Sequence, residues 1–108
     1  MKPGIYRFVL KSCPACENSR EEFKKFEKKA KPKLTSNSTI KEIDSEDKLT
    51  KQLKITSFPT YLIVTKSGKV IEQQERDSAS LLQKANQHNI CGPKTKLKKR
   101  KNKFSRRN

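Results

Sequence analysis

Apolar residues recur at two different spacings near the start of the chain, and the change of spacing predicts a strand followed by a helix. Residues 5–10 (IYRFVL) are aromatic, aliphatic or β-branched at nearly every position, as in a strand. Beyond them, small and apolar residues recur every three or four positions, which predicts a helix that begins at Pro14 and is ended by Pro32. Its inner face is predicted to consist of Cys16, Ser19, Phe23, Phe26 and Ala30.

A polar strand and a brief helix are predicted next. Residues 39–44 (TIKEID) have β character but too many polar side chains to be buried on both faces, so we expect a strand at a sheet edge. Asp44 or Ser45 can accept the free backbone N–H groups at a helix start. This predicts an N-cap there and a short helix from Glu46 to Leu53.

The longest apolar run lies in residues 55–65 (ITSFPTYLIVT) and predicts a central strand after Pro59. A glycine-containing turn then leads to an antiparallel neighbour at residues 70–74.

The last predicted element is a helix capped by Asp77 or Ser78 and ended by Cys91-Gly92-Pro93. Its inner side is predicted to consist of Leu81, Leu82 and Ala85, with His88 or Asn89. The order of elements is therefore strand, helix, strand, helix, strand, strand, helix, without an internal repeat.

Charge is distributed unevenly along the 108 residues, which have the length of one small domain. The net charge is +16, and nine basic residues without an acidic one follow Gly92. Such a segment repels itself and has no apolar periodicity, so we expect a folded domain at residues 1–91 and a disordered basic tail at residues 92–108. The densest basic positions of the tail are Lys98, Lys99, Arg100, Lys101, Lys103, Arg106 and Arg107.

The basic tail is compatible with several partners. It can bind nucleic acid through sequence-independent phosphate contacts, dock on an acidic protein or membrane surface, or serve as a nuclear-localisation signal at residues 98–101. A solubilising extension is the simplest alternative.

The chain has no apolar run long enough to span a membrane, and its first residues do not resemble a secretory signal. We therefore expect a soluble cytoplasmic protein, with nuclear, virion or other nucleoprotein association as alternatives. Three cysteines in such a chain argue against a structural disulfide framework and for thiol chemistry or metal binding.

The sequence Cys13-Pro14-Ala15-Cys16 stands at the predicted junction of strand and helix. A cysteine at a helix N-terminus meets unpaired backbone N–H groups and the positive end of the helix dipole, so a lowered pKa is expected for Cys13. Cys16, one turn later, is close enough to form a disulfide with it or to attack a mixed disulfide made there. Lys11 and Arg7 could add positive potential, although strand alternation can point them away from the sulfur.

A zinc site is the main alternative for these cysteines. His88 and Cys91 are two further potential ligands, and together with Cys13 and Cys16 they would complete the set of four that structural zinc prefers. Otherwise His88 caps or packs at a helix end and Cys91 is a free thiol, or an additional resolving or regulatory cysteine.

Residues 4–90 resemble the thioredoxin/glutaredoxin superfamily in its minimal form. In that family a strand leads to a CxxC at a helix start, matched here by residues 13–16 (CPAC), and a cis-proline lies across from the pair, matched by Phe58-Pro59-Thr60. The resemblance implies an α/β, thioredoxin-like fold (βαβαββα) with a four-stranded mixed sheet flanked by helices. It also implies that Cys13 is the nucleophile, that Cys16 resolves the mixed disulfide, and that the Phe58-Pro59-Thr60 segment lines the substrate groove.

The chain departs from both branches of that superfamily. Thioredoxins usually have a tryptophan before the first cysteine and a buried acid on the preceding strand, whereas this chain has Ser12 and Arg7, so a proton acceptor for Cys16 is missing. The sequence of residues 11–16 (KSCPAC) resembles glutaredoxins, but residues 74–78 (QERDS) lack their glutathione-binding glycine pair and acid.

The implied activity is therefore general thiol-disulfide exchange on protein disulfides, with recharging by an unidentified reductase or thiol donor. No cofactor, glutathione included, and no metal are expected, and the protein is expected to be a monomer. The alternative is a non-catalytic thioredoxin-like binding module that its tail tethers to nucleic acid or a nucleoprotein assembly.

Overall fold

The structure is a computed structural model of the chain and describes residues 1–92. The predicted order of elements is confirmed. The elements are strand β1 (Gly4–Val9), helix α1 (Pro14–Ala30), strand β2 (Thr39–Asp44), helix α2 (Lys48–Gln52), strands β3 (Thr60–Val64) and β4 (Val70–Gln73), and helix α3 (Ser78–Gln87). The predicted tail and its basic positions lie outside the described residues, apart from Gly92, so that prediction is untested.

The four strands form one mixed sheet in the order β2-β1-β3-β4. β1 pairs with β2 in parallel and with β3 antiparallel, and β3 pairs with β4 antiparallel. The predicted edge position of the polar strand β2 and the interior position of β3 are both confirmed. In this register Arg7 of β1 lies between Glu42 of β2 and Tyr61 of β3.

Both faces of the sheet are covered, and alternation along β1 distributes its side chains between them. On one face Ile5 packs with Phe23 and Phe26 of α1 and with Leu81 of α3. On the other face a second apolar cluster lies beside α2 and the loop before β3. It consists of Tyr6, Phe8, Ile43, Leu62 and Val64, with Leu49, Leu53, Ile55 and Phe58 packed against them. Because Arg7 alternates with Tyr6 and Phe8, it points toward α1.

In the middle of the chain the predicted N-cap of α2 was wrong, and the predicted start of β3 was right. The N-cap of α2 is Asp47, whose carboxylate accepts the N–H of Leu49 at 2.9 Å, and not Asp44 or Ser45. Asp44 instead ends β2, and its carbonyl accepts the Thr50 hydroxyl at 2.7 Å. β3 begins at Thr60, directly after Pro59, as predicted, and Pro59 itself has no N–H to donate to a ladder.

The ends of the two long helices follow from their caps. Asp77 is the N-cap of α3, as predicted, with its carboxylate accepting the N–H of Ser80 at 2.9 Å. The helix ends at Gln87, short of the predicted Cys91, and Asn89 adopts a left-handed φ of 61°. α1 ends at Ala30, and Pro32 lies in the 3₁₀ turn that follows.

Within residues 1–92, every helix is too short or too polar to cross a membrane.

Candidate active site

Cys13 is positioned by the loop between β1 and α1. Ser12 adopts a left-handed φ of 60°, and Cys13 then serves as the N-cap of α1, with Pro14 in the first turn. The Cys13 carbonyl accepts the N–H of Glu17 at 3.0 Å. The Cys13 sulfur accepts the backbone N–H of Cys16 at 3.1 Å, where a cap normally presents a side-chain oxygen. Pro14 and Ala15 therefore act by forming the turn that brings this N–H to the sulfur.

The two cysteines differ in exposure and in acidity. Cys13 is partly exposed, whereas Cys16 is only 6% exposed. A hydrogen bond from the Cys16 thiol, together with the backbone N–H groups of Cys16 and Ala15, lowers the pKa of Cys13 below its usual range. Burial and the hydrogen bond to Cys13 raise the pKa of Cys16. The arrangement therefore favours a thiolate at Cys13 and a protonated thiol behind it.

The Phe58-Pro59-Thr60 segment lies beside this pair although it is far away in sequence. The Phe58 carbonyl oxygen is 3.7 Å from the Cys13 sulfur, and the Phe58-Pro59 peptide bond is cis. Pro59 is buried, and Phe58 and Thr60 are partly exposed. The residues that the resemblance assigned to one groove are thus brought together with Cys13.

Two residues in the loop after β1 flank the site. Lys11 is exposed and lines the same cleft as Cys16. Leu10 is 44% exposed and lines this cleft as well. Sequence reasoning assigned no role to Leu10. Its position immediately after the first strand was the only available signal.

Arg7 is the largest difference between the sequence-based expectation and the structure. It does not point away from the cysteines: its side chain is 2% exposed and lies beneath the first turn of α1. One guanidinium nitrogen donates to the Cys16 carbonyl at 2.5 Å and to the Ser19 hydroxyl at 2.8 Å. A second nitrogen donates to Glu42, and Nε donates to the Tyr61 hydroxyl at 2.9 Å. Ser19, a polar residue on the inner face of α1, was the sequence signal for this cluster.

Comparisons with solved structures agree on the architecture. No protein-family model matches this sequence, and curated protein sequences give no match either. The J-Trx1 fragment of ERdj5 superposes with a TM-score of 0.66 at 19% sequence identity, over 81% of this chain and 43% of that one. Deadhead, a germline-specific thioredoxin of Drosophila melanogaster, gives 0.60 at 19% identity over 80% of both chains. Thioredoxin O1 from Arabidopsis thaliana, in its oxidised state, gives 0.58 at 19% identity over 82% of this chain and 78% of that one.

The chain has a thioredoxin-like fold. The resemblance inferred from residues 13–16 and 58–60 is thereby confirmed at the level of the fold. At these low identities the comparison establishes architecture alone, and the chain spans less than half of the ERdj5 fragment.

The thioredoxin-like fold excludes the four-ligand zinc site. The Cys91 thiol is buried and donates to the carbonyl of Ala30, 3.5 Å away, at the C-terminal end of α1. Cys13 and Cys16 lie at the opposite end of this 17-residue helix, which is about 25 Å long at 1.5 Å per residue. Among residues 1–92, no three His, Cys, Asp or Glu side chains are grouped so that they could hold a metal ion.

Proposed function

We propose that the protein is a thiol-disulfide oxidoreductase that reduces or exchanges protein disulfides through Cys13 and Cys16. The observation that supports this most directly is the pairing of a partly exposed Cys13 sulfur, 3.1 Å from the Cys16 N–H, with a buried Cys16 thiol behind it. A lowered pKa on the exposed cysteine and a raised pKa on the buried one match the separate needs of a nucleophile and a resolving thiol.

The reaction has two steps. The Cys13 thiolate attacks one sulfur of a substrate disulfide, which breaks that S–S bond, forms a mixed disulfide and releases one substrate thiolate. Cys16 then loses its proton and attacks the Cys13 sulfur, which forms the Cys13–Cys16 disulfide and releases the second substrate thiolate. Both substrate thiolates take up protons, and the two electrons come from the protein dithiol. A reductase or thiol donor then reduces the Cys13–Cys16 disulfide again, without glutathione or another bound cofactor.

The substrate is proposed to be an extended protein segment beside Phe58. The carbonyl of Phe58 faces the Cys13 sulfur, so backbone pairing at this residue would place a substrate cysteine close to the nucleophile. Leu10 lines the cleft with Cys16, and Phe58 is partly exposed next to Cys13, so both apolar side chains can contact a substrate. A reducing role would suit a compartment such as the cytoplasm, where thiols are kept reduced.

An insulin-reduction assay with dithiothreitol tests the proposal. The wild type should accelerate precipitation of the insulin B chain, and Cys13→Ser should abolish the acceleration. Cys91→Ala is the matched control, because it removes a cysteine from the far end of α1 and should retain the activity. Equal activity in the wild type and Cys13→Ser would reject catalysis by this pair.

The alternative is a non-catalytic binding module, for which the wild type would show no insulin reduction. Its tether would be the basic residues after Gly92, which lie beyond the described part of the chain. We propose that they bind nucleic acid through salt-sensitive phosphate contacts. Deleting residues 93–108 should weaken binding to a DNA or RNA oligonucleotide and flatten its salt dependence while insulin reduction is retained. Unchanged binding would contradict this role.

A further inference from the structure

Arg7 is a buried cation held rigidly against the candidate active site. Its guanidinium carbon lies 5.3 Å from the centre of the Phe23 ring and 5.8 Å from that of Tyr61. The hydrogen bonds to Cys16, Ser19, Tyr61 and Glu42 use all three of its nitrogen atoms. Burial alone would lower the pKa of Arg7, but the hydrogen bonds to Tyr61 and Glu42 raise it, so the side chain stays charged.

The proposed reaction requires Cys16 to lose its proton in the second step. Burial raises the pKa of that thiol, and β1 has no carboxylate that could take the proton. A cleft of about 210 Å³ has Cys16 in its lining and opens to solvent. Its charged lining comes from β1, the following loop, α1 and β2, and consists of Arg7, Lys11, Glu17, Arg20, Glu42 and Asp44.

The charges around this cleft are not equivalent. Glu17 pairs with Arg20, and both side chains are more than half exposed. Glu42 pairs with Arg7, but the Glu42 side chain is 48% exposed while that of Arg7 is 2% exposed. Solvent screens an exposed charge more than a buried one, and the charge of Arg7 lowers the pKa of Cys16 against the larger opposing effect of burial.

We propose that Arg7 is a positioning residue for the resolving step, which orients the first turn of α1 and supplies the fixed positive charge that stabilises the Cys16 thiolate. This inference rests on the oxidoreductase function proposed above. The proton of Cys16 leaves to solvent through the cleft, the thiolate attacks Cys13 of the mixed disulfide, and the substrate thiolate that is released takes up a proton from solvent.

Titration of Cys16 as the sole thiol tests the electrostatic part. In a Cys13→Ser, Cys91→Ala background, the ultraviolet absorbance of the thiolate gives the Cys16 pKa directly. Arg7→Met should raise that pKa, and Arg7→Lys should raise it less because it retains the charge. Lys41→Met removes an exposed positive charge from β2 and is the matched control, which should leave the pKa unchanged.

The folded state of Arg7→Met must be checked by circular dichroism, because the substitution leaves Glu42 and Tyr61 without their partner. If it does not fold, Glu42→Gln decides instead: it leaves Arg7 without its counter-charge and should lower the Cys16 pKa. A folded Arg7→Met with the parental Cys16 pKa, or an unchanged or raised pKa in Glu42→Gln, would overturn the proposal.

The pH dependence of resolution separates an electrostatic role from a purely structural one. The substrate is a small chromophoric disulfide, and both proteins carry Cys91→Ala. The pH midpoint of the rate at which the second thiol is released should be higher in Arg7→Met than in the parent. At neutral pH each unit of increase in the Cys16 pKa lowers the thiolate fraction about tenfold, but the more basic thiolate is the better nucleophile. The rate of release should therefore fall roughly threefold for each unit. A rate lowered equally at every pH would contradict the electrostatic role.

The titration needs no catalysis, so the two proposals can fail separately. An unchanged Cys16 pKa in an active enzyme overturns the role of Arg7 alone. A protein without insulin-reducing activity overturns the proposed function, whatever the Cys16 titration shows.

Discussion

The backbone N–H of Cys16 lies 3.1 Å from the sulfur of Cys13, so the second cysteine of the pair stabilises the thiolate of the first through its main chain. The Cys16 side chain is meanwhile buried, and the Cys16 backbone carbonyl accepts a hydrogen bond from Arg7. This relationship makes two neighbouring thiols chemically unequal.

Alkylation should reveal that inequality. Because hydrogen bonds from Cys16 lower the pKa of Cys13, iodoacetamide should modify Cys13 first, with a pH midpoint below that of an ordinary thiol. Burial raises the pKa of Cys91, which should react at least about tenfold more slowly at neutral pH. Peptide mass spectrometry after timed quenching measures both rates, and urea-unfolded protein is the control, in which the difference should vanish. Equal rates in the folded protein would contradict the assignment of Cys13 as the acidic thiol.

Gly4 should not tolerate a side chain. A Cβ atom there would lie 2.1 Å from the Thr39 carbonyl oxygen of the paired strand β2, so β1 and β2 would have to move apart. We expect Gly4→Ala to lower the free energy of unfolding by about 1–3 kcal/mol, measured by urea denaturation. Lys41→Ala, at an exposed position of β2, should change it by no more than about 0.5 kcal/mol. A Gly4→Ala protein as stable as the wild type would contradict this packing.

Acid should weaken the N-terminus of α3. A Glu22 carboxylate oxygen accepts the Ser78 N–H at 2.8 Å, and this bond, with a further contribution from Lys25, lowers the Glu22 pKa. The pKa of Asp77 is lowered by its bond from Ser80. The pKa values of Glu22 and Asp77 are lower in the folded than in the unfolded protein. Both groups therefore stabilise the fold fully at a pH above their unfolded pKa values, and this stabilisation is lost as the pH falls through their folded pKa values. The loss should therefore begin near pH 4.5, the ordinary value for Glu.

Thermal unfolding at neutral pH and at about pH 3 measures this effect. Glu22→Gln should lower the thermal stability at neutral pH, and its stability should then fall less between neutral pH and acid than that of the wild type. Glu21→Gln, the neighbouring carboxylate on the exposed side of α1, is the control and should unfold like the wild type. An acid-induced loss of the same size in wild type and Glu22→Gln would argue against the contact.

Cys91 should serve packing and not redox chemistry. Its thiol is buried at the C-terminal end of α1, where it contacts the Ala30 carbonyl and pairs with Leu34 through the backbone. Cys91→Ala should therefore be slightly less stable than the wild type but form the Cys13–Cys16 disulfide equally well under mild oxidant. Non-reducing peptide mapping measures that disulfide. A disulfide that includes Cys91 in the folded, monomeric wild type would contradict the position of this thiol.

The features that the sequence predicted correctly depend on residues close together in the chain. The 3.6-residue period from Cys16 to Ala30 and the carboxylate of Asp77 before α3 are local signals, and each element formed where its signal lay. The position of Cys13 at the start of α1 is equally local, because Pro14 favours the first helical turn and the N–H of Cys16 is three residues away. The lowered pKa of Cys13 could for this reason be anticipated without a structure. The predicted N-cap of α2, Asp44 or Ser45, was wrong because Asp47 can cap a helix equally well, and the local sequence does not show that β2 extends to Asp44.

The surroundings of Arg7 were decided by tertiary structure alone. Glu42 and Tyr61 lie opposite Arg7 because of the strand register, and register depends on pairing between segments dozens of residues apart. The same holds for the Phe58 carbonyl at Cys13 and for Cys91 at the far end of α1. Periodicity shows which side of a strand a residue occupies, but only the packed sheet shows which partners it meets there. A buried arginine is stable only when several such partners converge on it.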